Sequence, residues 1–290
     1  MTIQTHPDVT RDLRQATRQG LQPTRGSGWL AGFGNMLTKE LGEWFHTRRW
    51  LWQLLLWMII INGFVVLILF ILPLLESLFP GINASLGKSY EGLPPEAMGL
   101  SYYFSISILT GSIGVIILAQ DEIIQEKQSG TIAWILSKPA ARPAFILTKL
   151  LSNSIGVLIF IVAIPALVFL GEIYLDLHIV IPLVPFLAGL GVFLLALIFY
   201  LTLVIMLGVL FESRGPVMGI AFGILIGGNV ISSFIPQIAY VLPVTMESIA
   251  QSVVLGTPMP VMFNSQLISA AILSSAFILV ALWRFQREEF

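Results

Sequence analysis

At 290 residues, with 56% hydrophobic and only 11% charged positions and a mean hydropathy of +0.89, the chain is far more apolar than a soluble domain, in which about a quarter of residues are charged. A formal net charge of −1, with no Lys/Arg tract interleaved with stacking aromatics, excludes a nucleic-acid-binding surface. The lack of cysteine excludes disulfides, thiolate metal sites and thiol nucleophiles.

Residues 1–27 are polar, with Arg11, Arg14, Arg18 and Arg25 but no apolar run, and read as a disordered cytoplasmic tail rather than a signal peptide. Asp8 and Asp12 count against a transit peptide. Over residues 28–49, Trp29, Leu30, Phe33, Leu37, Leu41, Trp44 and Phe45 recur at three- and four-residue steps, with Lys39, Glu40, Glu43 and Arg48 mainly between them. That pattern predicts an amphipathic helix lying in the membrane interface. Trp50 and Trp52 suit the headgroup level and mark entry into the bilayer.

From there the sequence predicts an all-α integral membrane domain, residues 28–290, with six spans at about 50–72, 100–119, 150–170, 186–211, 217–235 and 262–283. Each approaches the roughly 20 helical residues a hydrocarbon core requires, and Pro73 is expected to close the first. Pro165 and Gly189, Gly191, Gly223, Gly227 and Gly228 are tolerated inside spans and permit close helix approach. Between the second and third spans, Asp121, Glu122 and Glu126 precede a Gly130-Thr131 break. Ile132, Ile135 and Leu136 then give a short helix an apolar face. Pro139 and Pro143 end that helix, and Lys138, Arg142 and Lys149 surround its apolar face. Such a helix serves either as a plug for a partner's groove or as a loop resting on lipid. The 236–260 connection is too apolar for a solvated loop and predicts a re-entrant or surface-lying helical pair.

Fourteen of the fifteen Lys/Arg lie in the tail and first helix, the 120–150 stretch, the 212–216 loop and the C-terminus, leaving only Lys88 on the other side. The positive-inside rule therefore predicts a multi-pass protein with both termini and the 120–150 stretch cytoplasmic. Glu76, Glu91, Glu96, Glu172, Asp176 and Glu247 are expected on the opposite face.

Glu122, Glu126, Gly130-Thr131, Leu136-Ser137, Pro139, Arg142 and Lys149 resemble the pattern between the second and third spans of ABC-2 type permeases, the membrane subunits of ABC exporters. The resemblance extends over residues from about 28 to 290 and includes a Leu255-Gly256-Thr257-Pro258 turn. It implies that residues 28–49 are an elbow helix and that a coupling helix docks on a separate P-loop ATPase. The coupling residues carried over are Glu122, Glu126, Gly130, Thr131, Ile132, Trp134, Ile135, Leu136, Pro139 and Arg142. It further implies a second permease copy or a sister chain in the cell membrane.

No HExxH or GxSxG occurs, and the three histidines are His6, His46 and His178. His178 with Asp176 and Glu172 reads as a solvated outer loop, so no metal site is expected. No phosphate loop of the G-x-x-x-x-G-K-[ST] type is present, which places ATP and Mg²⁺ on the partner and no cofactor on this chain. The predicted spans hold no ionisable residue, which counts against a proton- or sodium-coupled pump. Polar side chains in or beside the spans, among them Asn62, Ser105, Ser107, Tyr200 and Thr202, are expected to make interhelical hydrogen bonds worth about 0.6 kcal/mol each. Asn229, Ser232 and Ser233 are the candidates to line a translocation path. Met246, Met259 and Met262 are ordinary apolar filler. A permease subunit without its own motor is the reading that follows; a membrane scaffold that recruits a cytoplasmic partner without transport is the alternative.

Overall fold

A computed structural model describes residues 28–79, 93–132 and 141–288. The expected tail, 1–27, lies outside these residues, as do Lys88, Glu91 and, from the coupling set, Trp134, Ile135, Leu136 and Pro139. Within them every regular element is helical. A short helix α1 (Phe33–Phe45) precedes α2 (Trp50–Leu78) and α3 (Pro95–Ala119), which passes through a turn into α4 (Ile124–Gln128). Then come α5 (Arg142–Leu177), α6 (Leu183–Leu210) and α7 (Arg214–Phe234). A single turn at Pro236–Tyr240, α8 (Met246–Leu255) and α9 (Phe263–Gln286) complete the chain. Six of these helices, with α3 and α4 counted together, are long and apolar enough to cross a membrane. The chain is a multi-pass membrane protein.

The helices overrun the apolar segments that announce them. Pro73 does not close the first span: the helix continues through it to Leu78, directly after a widened π turn at Leu67–Ile71 that absorbs the change in hydrogen bonding a proline imposes. The third helix runs from Arg142 to Leu177 and stops only where His178 takes a left-handed backbone with φ 57°. Glu172 and Asp176, expected in an outer loop, are thus helical and belong to the same continuous helix as Lys149. A helix ends where its backbone finds a cap, not where its side chains turn polar.

Further π turns occur at Met58–Asn62 in α2, Val157–Ala163 in α5 and Gly223–Gly227 in α7. Helix α6 is the centre of the bundle: over its most apolar stretch it is 78% buried, against 22% for α7 and α9. Phe186 and Phe193 of α6 are fully buried, and Phe186 packs with Phe104 and Phe169 at ring separations of 6.0 Å. One end of the bundle gathers α1, α4, the α6–α7 connection and the last residues of α9; we call it the near end. At the far end α8 tucks Met246, Ile249 and Ala250 into the core. There Gln251 donates to the Ser101 carbonyl at 3.1 Å, and Glu247 accepts from the Ser105 hydroxyl.

Candidate functional site

At the near end, α3 gives way to a turn and then to the five-residue α4, which presents Glu126 and Lys127 to opposite neighbours. Gly130 follows with φ 72°, a left-handed backbone that a residue without Cβ adopts at little cost. This is where the sequence predicts a break. Ile132, just beyond, is fully buried in the core. The described chain resumes at Ala141, whose N–H donates to the Ala31 carbonyl at 2.9 Å. Both flanks of the 133–140 segment are therefore anchored, one in the bundle core and one on the stretch leading into α1.

Lys149 of α5 is 1% exposed and sits among three carboxylates. Its Nζ lies 3.0 Å from Glu126, 3.2 Å from Glu40 and 3.5 Å from Glu122. Lys39 of α1 closes the group, 3.3 Å from Glu126, 3.5 Å from Glu40 and 3.4 Å from Glu43. Taking an ammonium out of water costs several kcal/mol, and several hydrogen-bonding partners are needed to offset it. The consequence is geometric: the charged groups come from α1, the α3–α4 turn with α4, and α5, so the cluster fixes the mutual position of these elements. Burial pushes the Glu40 carboxyl above the usual carboxylate range, while Lys149 and Lys39 pull it back. Desolvation opposes the charge on Lys39, but Glu126, Glu40 and Glu43 outweigh it and its pKa is raised.

The rest of the near end is tied to the same turn. Lys127 donates to the Val209 carbonyl at 2.6 Å and pairs with Glu288 at 2.8 Å. Gln128 donates to the Glu212 carbonyl at 3.0 Å, and Asp121 pairs with Arg214. Arg142 donates to the carbonyls of Gln286 and Glu288, each at 2.7 Å, beside a parallel stack of Phe145 on Phe285 at 5.2 Å. Trp44 reaches from α1 into α5, where its indole N–H meets Asn153 Oδ1 at 3.3 Å and its ring stacks on Phe160 at 5.8 Å.

Residues 88–290 match the model of a protein family of unknown function, DUF2705. The chain belongs to the DUF2705 family. No curated protein matches it as a relative. The matched region of this DUF2705 protein includes Glu122, Glu126 and Lys149 but not α1, so the ionic cluster straddles its boundary with Lys39 and Glu40 outside.

Of the residues the sequence singles out, Glu122 and Glu126 converge on Lys149, Gly130 makes the turn, Thr131 follows it in helical backbone with its hydroxyl 2.7 Å from that of Ser129, Ile132 is core and Arg142 holds Gln286 and Glu288. Asn229, Ser232 and Ser233 lie elsewhere, on the exposed side of α7. There Asn229 donates to Leu225 O at 3.0 Å, and Ser232 and Ser233 donate to Asn229 O at 2.9 and 3.1 Å. Sequence reasoning missed Glu40 as a partner of Lys149, and Lys39 as a second cation on Glu40 and Glu126. A signal existed: Glu40 stands in the helical register of Leu37, Leu41 and Trp44, and a charge on an apolar stripe requires a partner. Among the described residues no group of three His, Asp or Glu side chains is arranged to hold a metal ion.

Proposed function

We propose that this chain is the permease subunit of an ATP-driven ABC exporter of the ABC-2 type. It forms the translocation pathway in the cell membrane and is driven by a separate P-loop ATPase that carries ATP and Mg²⁺. The observation that supports this reading is the double anchoring of the 133–140 segment beside a charge cluster that ties α1, the α3–α4 turn and α5 together. A force applied to that segment reaches three helices at once. In this reading the near end is cytoplasmic, α1 is the elbow helix, and Ile132, Trp134, Ile135 and Leu136 belong to a coupling helix seated on the ATPase. A second copy or a sister chain faces this one, with Asn229, Ser232 and Ser233 turned toward the pathway between them. ATP binding closes the ATPase pair, and the movement passes through Glu122 and Glu126 to Lys149 and so to α5.

The test is purification of the chain from its native membrane in mild detergent, mass spectrometry of what co-elutes, and an ATPase assay of the complex. A stoichiometric P-loop ATPase, lost in Leu136→Asp while thermal stability is retained, is the expected result. A stable chain with no ATPase partner even after crosslinking overturns the reading and leaves the membrane scaffold in its place.

A further inference from the structure

The interior of the bundle holds a second polar group, remote from the near end. Leu69, Gly99 and Ile173 set the contact between α2, α3 and α5: a Cβ on Gly99 would lie 2.8 Å from Ile173 Cδ1 and 3.0 Å from Leu69 Cδ1. One turn deeper along α3, Tyr103 stacks on Phe169 of α5 at 4.3 Å. A turn deeper again stands Ser107, and at that depth Asn62 of α2 donates its amide N–H to the Pro165 carbonyl of α5 at 3.0 Å. The Tyr103 hydroxyl neighbours that of Ser107, and the Asn62 amide neighbours Glu172 of α5.

Four oxygens are left over in this layer. Asn62 Oδ1, Tyr103 Oη, Ser107 Oγ and Glu172 Oε2 are all buried, and none is in a well-formed hydrogen bond with a described residue. Asn62 is 2% exposed, and Tyr103 and Ser107 are fully buried. Residues 50–79, 93–120 and 150–177, the parts of the three helices around this layer, contain no Lys, Arg or His, so these stretches supply no cation to Glu172. An unpaired buried polar atom costs about 1–3 kcal/mol, and four of them in one layer, one belonging to a carboxyl in the spanning-length helix α5, mark a functional site rather than a packing accident.

We infer that these four oxygens are a binding site for one small monovalent cation, held between α2, α3 and α5. The donor set is what a hard cation takes: a carboxylate, an amide carbonyl and two hydroxyl oxygens. Its single negative charge is balanced by one positive charge, whereas a divalent ion would leave a net charge in an apolar interior. The cation joins three helices that also meet here through aromatic and aliphatic packing and the Asn62 hydrogen bond. This inference stands apart from the exporter reading, since it concerns occupancy of a site in the purified chain.

The experiment is thermal unfolding of the full chain in detergent at fixed pH and ionic strength, with choline chloride replaced stepwise by sodium, lithium or potassium chloride. Wild type is expected to gain stability saturably with at least one of the three metal ions, by on the order of a few degrees. Glu172→Gln loses the gain, and Asn62→Ala and Ser107→Ala shift its midpoint to several-fold higher cation concentration. To separate lost binding from misfolding, the melting of Glu172→Gln in choline must match that of wild type, and the Ser107→Ala midpoint serves as the independent check. Indifference of wild type to all three cations, or an undiminished gain in both Glu172→Gln and Ser107→Ala, overturns the inference. A melting temperature that follows pH but not the cation overturns it as well and identifies a proton site.

Discussion

Lys149 Nζ lies 3.2 Å from Glu40 Oε2, although 109 residues separate the two positions in the chain. The contact joins the helix that precedes the first span to the helix of the third, and it is the most buried charge pair of the near end. Both side chains are almost fully withdrawn from water, at 2% and 6% exposure.

Removing the cation leaves Glu40, Glu122 and Glu126 without their buried counter-charge, with the more exposed Lys39 still beside Glu40 and Glu126. Lys149→Met is expected to destabilise the chain by about 3–5 kcal/mol, the range for breaking a buried pair from one side. Thermal unfolding in detergent measures it. Adding Glu40→Gln to Lys149→Met recovers part of the loss, because the two positions are coupled. Strictly additive effects would contradict the pairing.

Glu40 gives the cluster a pH dependence of defined sign. Burial raises its carboxyl above the ordinary value of 4.5, with Lys149 and Lys39 acting against the rise and Glu126 and Glu43 adding to it. An acid raised in the folded state contributes stability that is fully present below its unfolded value and is lost as pH rises through the folded one. Glu40→Gln lacks this dependence. Its stability relative to wild type should therefore increase as pH rises above the ordinary value of 4.5; melting curves at rising pH check the direction, and a flat or falling difference contradicts it.

Two glycines admit large aromatic rings. A Cβ on Gly156 would lie 2.6 Å from the Trp44 indole, and one on Gly114 would lie 2.0 Å from Trp57. Gly156→Ala and Gly114→Ala are each expected to cost about 1–3 kcal/mol in thermal unfolding, since a packed ring cannot step aside. Gly171, in the same helix as Gly156, has open space where a Cβ would stand, with nothing within 4 Å. Gly171→Ala is therefore the control and should be neutral or stabilising by about 0.5–1 kcal/mol.

The last residues are held by two cations. Arg142 takes the Gln286 and Glu288 carbonyls, and Lys127 takes the Glu288 carboxylate. Arg142→Ala is expected to speed amide exchange in the final turn of α9 while leaving the centre of that helix protected, as exchange mass spectrometry would resolve. Exchanging the charges, Lys127→Glu with Glu288→Lys, should restore the ion-pair part of what Lys127→Glu alone loses, but not the hydrogen bond to the Val209 carbonyl.

The six spans were legible because a hydrocarbon core leaves its mark on a sequence as uninterrupted apolar length. Their ends were less so: Pro73 and Glu172 look like boundaries to a reader of polarity, yet backbone hydrogen bonding carries the helix past both. Glu122, Glu126 and Lys149 were recognisable as a group because they lie within one short stretch. Glu40 was not, since nothing local in a sequence announces a partner 109 positions away. Asn62 was legible as a hydrogen-bonding residue, and its amide does donate to the Pro165 carbonyl, but its leftover oxygen and that of Tyr103 were not: a polar residue in a span looks the same whether its oxygen is satisfied or left over.

The widened π turns fall only in α2, α5 and α7 among the described residues, which are the first, third and fifth spans; α3, α6 and α9 have none. A π turn carries an extra residue and weaker hydrogen-bond geometry, so its register shifts more easily than that of an unbroken helix. Compliant and stiff struts thus alternate along the chain. Every unbroken strut follows one with a π turn, and α6, the most deeply buried of them, is the mast against which the other helices pack.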